Sequence, residues 1–327
     1  MARVPVAVVG AGNMGRHHVR NYAELTGADL RAVVDRNVER AEALAARYGA
    51  RAFASVAELL ERAPEVEAVS IATPTITHRE VAEALLAAGR HVLVEKPIAA
   101  TAADGDRLTR RGRERGLVLA VGHVERFNPA VRELKRRVDA GAMGSLLSLV
   151  ARRVGVMPPQ VADADVIVDL AVHDIDIFRY LLGADRPDAV YANAGRAVAE
   201  DRFDFADAFL RFDGVACLLQ VNWVTPVKIR SLAVTGTAAY AEVEYVTQDL
   251  RWFPARPLES VDTFAELEAY SGREPERVEL ARREPLALEL EEFLRAVRGE
   301  PAEVVSGEEA TRSIEIAAAL AEGAERR

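Results

Sequence analysis

The chain has 327 residues, 50% of them hydrophobic and 28% charged, with a formal net charge of −9; that length predicts two domains, and the acidic balance excludes a nucleic-acid surface, which needs a basic face. No apolar run approaches the roughly 20 residues that span a bilayer, and a strand pattern begins at once, with no room for a secretion signal. The single cysteine, Cys217, sits in the apolar run "VACLLQV" and excludes an intramolecular disulfide or a cysteine-based zinc site, so a reduced, cytoplasmic protein is expected.

In chain order, the first 121 residues alternate strand signals, at 4–9, 30–35, 68–72, 91–95 and 117–121, with Ala- and Glu-rich helical stretches. Two of these, "NVERAEALAARYG" and "THREVAEALLAAG", end on a glycine suited to a helix C-terminus, while Ser55 and Thr101 are expected to cap two more helices. Strict alternation predicts right-handed crossovers and a doubly wound parallel sheet. Residues 1–121 are therefore expected to form one α/β domain.

Within that domain "VAVVGAGNMGRHH" places Gly10, Gly12 and Gly15 in the GxGxxG spacing between the first strand and the first helix, and Asp35 follows Gly15 by 20 residues. The first glycine makes a tight turn, the second lets backbone approach a diphosphate, and the third lets helix pack on strand. Asn13 and Met14 lie in the same turn, where the helix N-terminus offers free N–H groups to phosphate. The carboxylate of Asp35 suits the ribose hydroxyls of NAD and repels a 2′-phosphate. Arg36 beside it can stack on adenine or offset that repulsion, so NAD is expected and NADP stays open. A flavin dinucleotide is disfavoured by the second half of the chain. His17 and His18, in the first helix, are read as structural.

Residues 122–327 carry a different pattern. A helix over 128–139 is followed by the strand "SLLSLVARRV", a loop "GVMPPQVADA" and the helical stretch "VIVDLAVHDIDIF". Strand signals fill 190–253, a charged loop covers 254–275, and two helices close the chain. This predicts an α+β domain on a large, open, mostly antiparallel sheet. In "VIVDLAVHDIDIF", Asp169, His173 and Asp176 share one helical face among aliphatic residues, while Asp174 lies on another and reads as structural. Buried charge without partners is expensive. A carboxylate–histidine metal site is the weaker reading, and no metal is expected.

At "ATPTITHREVAEALLAAGRHVLVEKPIA" the chain resembles the glucose–fructose oxidoreductase, inositol dehydrogenase and rhizopine catabolism (Gfo/Idh/MocA) family. The resemblance rests on a TP dipeptide, a His four residues after the Pro, the EKP triplet Glu95-Lys96-Pro97, then "VGHVERFNP" and the DxxxHxxD helix. It implies a Rossmann domain followed by a sheet domain, with Lys96, Asp169 and His173 around a substrate carbon facing nicotinamide, and a cis Lys96–Pro97 bond. It further implies that Thr73 and Pro74 line the nicotinamide ribose and that Glu95 contacts ribose or caps a helix.

For such a reaction, an alcohol carbon loses hydride to the cofactor while His173 accepts the hydroxyl proton. Asp169 orients the imidazole or bonds a hydroxyl, and Lys96 supplies positive charge where alkoxide forms. Asp176 is a further candidate, for substrate binding or for orienting a neighbour. Within the family, the approach to the catalytic helix, "VGHVERFNPAVRELK" and "NWVTPVKIRSLAVTGTAAYAEVEYVTQDL" are similar to members that oxidise the 3-hydroxyl of UDP-N-acetylglucosamine. A diphosphate then needs cations; Arg126, Arg153, Lys228 and Arg230 are available, and Arg126 with Asn128 rank first because they follow the fifth strand. The alternatives are a dehydrogenase or reductase of a free sugar or inositol, and a non-catalytic NAD(P)-binding regulator. An open sheet with one covered face implies a homodimer or homotetramer through that sheet.

Overall fold

The computed structural model describes residues 3–157, 164–255, 263–271 and 274–325. Most of the expected loop "GVMPPQVADA" and part of the charged 254–275 stretch lie outside these residues.

The first unit runs β1 (Val4–Val9), α1 (Asn13–Glu24), β2 (Ala28–Val34), α2 (Val38–Ala46), β3 (Arg51–Phe53), α3 (Val56–Arg62), β4 (Ala68–Ile71), α4 (Thr75–Ala87), β5 (His91–Glu95), α5 (Ala102–Glu114) and β6 (Leu119–Gly122). Its strands form one six-stranded sheet in the order β3-β2-β1-β4-β5-β6, every pair parallel. Strand β3 escaped the sequence reading because three residues are too short to show a period. Both faces are sealed. Alternate residues of β1 enter different cores, Ala7 and Val9 one, Val6 and Val8 the other. Asn37, Ser55 and Thr101 cap α2, α3 and α5 by accepting backbone N–H bonds from Arg40, Glu58 and Asp104.

A short 3-10 turn (Val124–Phe127) leads to α6 (Pro129–Asp139), β7 (Leu146–Val156), a π turn (Ile167–Ala171) and α7 (Val172–Leu182). Then come β8 (Ala189–Gly195), β9 (Phe205–Phe212), β10 (Val215–Asn222), β11 (Val224–Gly236), β12 (Ala239–Glu244), β13 (Asp249–Pro254), α8 (Phe264–Ser271), β14 (Glu276–Arg277), α9 (Pro285–Val297) and α10 (Gly307–Glu325). Part of the expected charged loop is thus the helix α8.

These strands form an eight-stranded sheet, β14-β13-β12-β11-β7-β10-β9-β8, antiparallel except between β7 and β10. Residues from α6, α7 and α10 cover one face, where Leu149, Leu219, Leu232 and Val234 join Leu134, Phe178 and Leu320 in a single core. The opposite face carries a row in register across four strands, Tyr191, Phe209, Leu218 and Val150; Tyr191 is 59% and Leu218 42% exposed.

Two details position the site. Helix α9 leaves the second unit and packs Leu286, Leu290 and Phe293 into the core behind α1. In β11 the pairing with β7 jumps from Val224 opposite Val156 to Ile229 opposite Val154, so residues 225–228 bulge opposite Gly155.

Candidate active site

The glycine-rich turn divides its labour as steric reasoning requires. Gly10 has φ +101°, and a Cβ there would lie 2.4 Å from the Ala72 carbonyl oxygen; one on Gly15 would lie 1.7 Å from that of Gly10. A Cβ on Gly12 would meet nothing within 4 Å. The protein itself therefore does not demand glycine at 12, which fits a position reserved for a close ligand. Gly12 also begins α1 without a side-chain cap, leaving the first N–H groups free for phosphate. Asp35 accepts from the Ala11 backbone N–H at 2.7 Å through Oδ2 and from that of Asn37 at 2.9 Å through Oδ1. Each oxygen keeps a lone pair for a ribose hydroxyl. Asn13, Met14 and Arg36 stand at the exposed rim of this turn. A dinucleotide fits this set, held by the turn at the diphosphate and by Asp35 at the ribose.

Thr73 and Pro74 lie at the mouth of β4, Thr73 half-buried and Pro74 exposed. His78, the histidine four residues after Pro74, is buried and bridges the carbonyls of Thr73, at 2.9 Å, and Pro97, at 2.8 Å. It thereby ties the β4 loop to the β5 loop that carries Lys96, a role the sequence reading left unassigned.

The Lys96–Pro97 peptide bond is cis. Lys96 Nζ donates to the Asp169 backbone carbonyl at 2.7 Å and to its Oδ1 at 3.0 Å. Two of the three ammonium donors are thus spent and one is free. Asp169 stands in the π turn, a helical irregularity that recurs at functional sites. Asp165, which the sequence reading passed over, starts this turn by accepting from the Ile167 and Val168 N–H groups, each at 2.9 Å. Asp169 is bonded to Lys96, and no bond joins it to His173 among the described residues. The Nδ1 of His173 is buried without a partner among the described residues, so Nε2 is the nitrogen available to a ligand. Burial first, then the charges of Lys96, Arg153, His123 and Arg230, hold the imidazole well below its ordinary pKa of 6.5 and therefore neutral.

The remaining charges of the helix point inward. Asp176 is 1% exposed and forms a two-pronged pair with Arg126, both bonds 2.7 Å. Burial alone would raise its pKa, but His123, Arg126 and Arg179 hold it below the usual carboxylate range. Arg126 also donates to Glu309 at 2.6 Å and stacks on Tyr180. Asp174 pairs with Arg153 through two bonds of 3.0 Å, and Arg153 reaches Glu125 at 2.8 Å. These networks correct three sequence expectations. Arg126 and Asp176 saturate each other instead of facing substrate. Asn128 is 1% exposed; its Oδ1 caps the Ala130 N–H and its Nδ2 donates to the Tyr245 carbonyl, so it holds α6 rather than substrate. Glu95, expected near ribose or at a cap, instead accepts a 2.8 Å bond from His18 Nε2 beneath the site. Burial alone would raise its pKa, but the His18 bond and the charges of His18 and Lys96 hold it low.

Arg230 is the cation left over. Its Nη1 donates to the carbonyls of Val154 at 2.6 Å and Ile229 at 2.8 Å. Among the described residues no carboxylate pairs with it. A cavity of about 560 Å³ lined by Arg126, Arg132, Lys135, Tyr180 and Glu303 includes none of Lys96, Asp169, His173 or the glycine-rich turn, so the chemistry belongs to the open cleft instead. Among the described residues no cluster of three or more metal-ligating side chains occurs, and no helix is long and apolar enough to cross a membrane.

Comparison with known proteins agrees with this geometry. Residues 4–123 match the Gfo/Idh/MocA model described as "Oxidoreductase family, NAD-binding Rossmann fold", and residues 131–242 match the GFO/IDH/MocA C-terminal domain. A UDP-N-acetylglucosamine 3-dehydrogenase of Acidithiobacillus ferrooxidans is 35% identical over 91% of this chain and 90% of its own. The solved structure of GnnA, a UDP-N-acetylglucosamine 3-dehydrogenase of that organism, superposes with a TM-score of 0.87 at 34% identity, covering 100% of this chain and 99% of its own. An inositol 2-dehydrogenase of Acidothermus cellulolyticus is 30% identical over 78% of each chain. GenD2 from gentamicin A biosynthesis, solved with NAD, matches at 26% identity and a TM-score of 0.83 over 99% of this chain and 95% of its own. The chain belongs to the Gfo/Idh/MocA family of NAD-binding oxidoreductases.

Proposed function

We propose that the protein oxidises the 3-hydroxyl of a UDP-N-acetylhexosamine, passing hydride to NAD, with His173 as base. The observation that carries the reaction is Lys96 at the end of β5 bonded to Asp169, one turn before His173 on the opposing domain. The relative named for UDP-N-acetylglucosamine 3-dehydrogenation, alike over nine-tenths of both chains, supports the substrate. NAD, when bound, supplies the hydride acceptor. His173 Nε2 takes the hydroxyl proton, its neutral state maintained by burial and by Lys96. The free N–H of Lys96 stabilises the developing alkoxide, and Asp169 holds Lys96 in place.

The second reading, oxidation of a free sugar or cyclitol, draws support from the inositol 2-dehydrogenase relative. Purified protein with NAD, offered UDP-N-acetylglucosamine and then myo-inositol, separates the two by NADH absorbance. Signal with the cyclitol alone overturns the first reading. The exposed row on the eight-stranded sheet supports a homodimer or homotetramer joined through that face. A monomer by light scattering at micromolar concentration refutes this assembly.

A further inference from the structure

Resting on the nucleotide-sugar reading, we infer that Arg230, presented by the β11 bulge, is the subsite for the phosphate on the sugar's anomeric carbon. Four cations were candidates for that task. Arg126 and Arg153 are each locked to two carboxylates, and Lys228 is exposed on the bulge. Arg230 differs from all of them. It is half-buried, and one nitrogen is anchored on two main-chain carbonyls. Its Nε and Nη2 bond to no described residue and are not among the buried unpaired atoms. An arginine fork held by neutral carbonyls keeps its full charge and two aligned donors for an incoming anion.

Its position suits the reaction. Arg230 stands directly opposite Arg153 in the β11–β7 ladder, and Arg153 is bonded to Asp174, the residue after His173; the charge of Arg230 accordingly acts on the His173 imidazole and feels that of Asp169. In a 3-oxidised hexose, C3 and the phosphate-bearing C1 flank a single ring carbon, so the first phosphate lies beside the reacting centre. A cation next to the catalytic pair is where that phosphate falls. Without the bulge, the Val224 pairing would continue in register and no loop would form opposite Gly155. Arg230 follows the bulge by two residues, and such an insertion bends and re-aims the strand that carries it.

The test compares wild type, R230Q and R230K with UDP-N-acetylglucosamine as substrate, and measures Kd for UDP and for NAD by calorimetry. R230Q is expected to raise the KM for UDP-N-acetylglucosamine and the Kd for UDP roughly 10- to 100-fold. The Kd for NAD should stay unchanged, which also reports an intact fold. R230K should fall between, because a point charge replaces a two-pronged donor. A wild-type enzyme that oxidises the nucleotide sugar while R230Q keeps the wild-type KM and UDP affinity overturns the subsite alone. Equal loss of UDP and NAD affinity in both variants also overturns it, because the arginine is then structural. Wild-type turnover of myo-inositol with none of the nucleotide sugar overturns the substrate reading, and the subsite falls with it.

Discussion

The helical segment 166–182 has two ends that treat charge in opposite ways. At the cleft end, Asp169 and His173 are left with capacity to spare: one donor of Lys96 is free, and the His173 ring has no bonding partner among the described residues. At the buried end, Asp174 and Asp176 are each matched by a two-pronged guanidinium. A residue that must exchange bonds with substrate has to remain under-satisfied in the free protein, whereas one that holds the fold has to be saturated. The four charged or titratable residues of "DLAVHDID" look alike in sequence and are sorted only by their partners.

That contrast can be broken most directly at its cleft end. His173→Ala should lower turnover by about 10²- to 10⁴-fold while the melting temperature stays near wild type; full activity in this variant removes the base. Because the folded imidazole has its pKa depressed, the base becomes protonated only as pH falls well below 6.5, so the acid limb of kcat/KM should lie well below that value. Lys96→Met, which removes the leading charge acting on it, should move the residual activity's acid limb to higher pH. At the buried end, Asp176→Ala should destabilise by about 3–5 kcal/mol through the stranded Arg126, read in denaturant midpoints. A neutral outcome there erases the distinction between the ends.

Gly12→Ala sharpens the comparison on the cofactor side. It should melt like wild type, since the added Cβ meets no protein atom, yet weaken NAD binding about 10-fold in a fluorescence titration. Gly15→Ala, whose Cβ would collide with the Gly10 carbonyl, should instead fail to accumulate as folded protein.

The smallest effect concerns Glu289, a buried residue of α9 whose carboxylate has no bonding partner among the described residues. Burial, then the charges of Glu95 and Asp176, raise its pKa well above 4.5. The folded state therefore holds a proton that the unfolded chain releases above that value, and stability drains away as pH rises from 4.5 toward the folded pKa. Glu289→Gln should remove this drain, raising the melting temperature by about 2–4 °C at pH 8 and by less at pH 4. A lower melting temperature at pH 8 would show that Glu289 is charged and paired after all.

Much of the cofactor half was legible in the sequence, because its determinants are local: three glycines at fixed spacing, a carboxylate at the end of the second strand, and caps at Ser55 and Thr101. The EKP triplet and the DxxxHxxD helix carried the resemblance, and Lys96 Nζ bonds to Asp169, 73 positions later. What the sequence concealed was partnership over long separations. Arg126 meets Asp176 50 positions later and Glu309 183 positions later, so nothing local marks it as internal. Arg230 ranked low for the converse reason: the bulge that aims it is a pairing jump between β11 and β7, invisible in either strand alone.

The return of α9 to the first sheet has a consequence for synthesis on the ribosome. Leu286, Leu290, Phe293 and Leu294 complete the core behind α1, and Ala310 of α10 joins the core on the sheet's other side. A nascent chain that has emerged through β6 therefore still presents two unsealed apolar patches while residues 123–327, nearly two-thirds of the protein, remain to be made. The nucleotide-binding unit is translated first yet waits for the last two helices of the chain to seal it, an interval in which its exposed apolar surface is prone to aggregate.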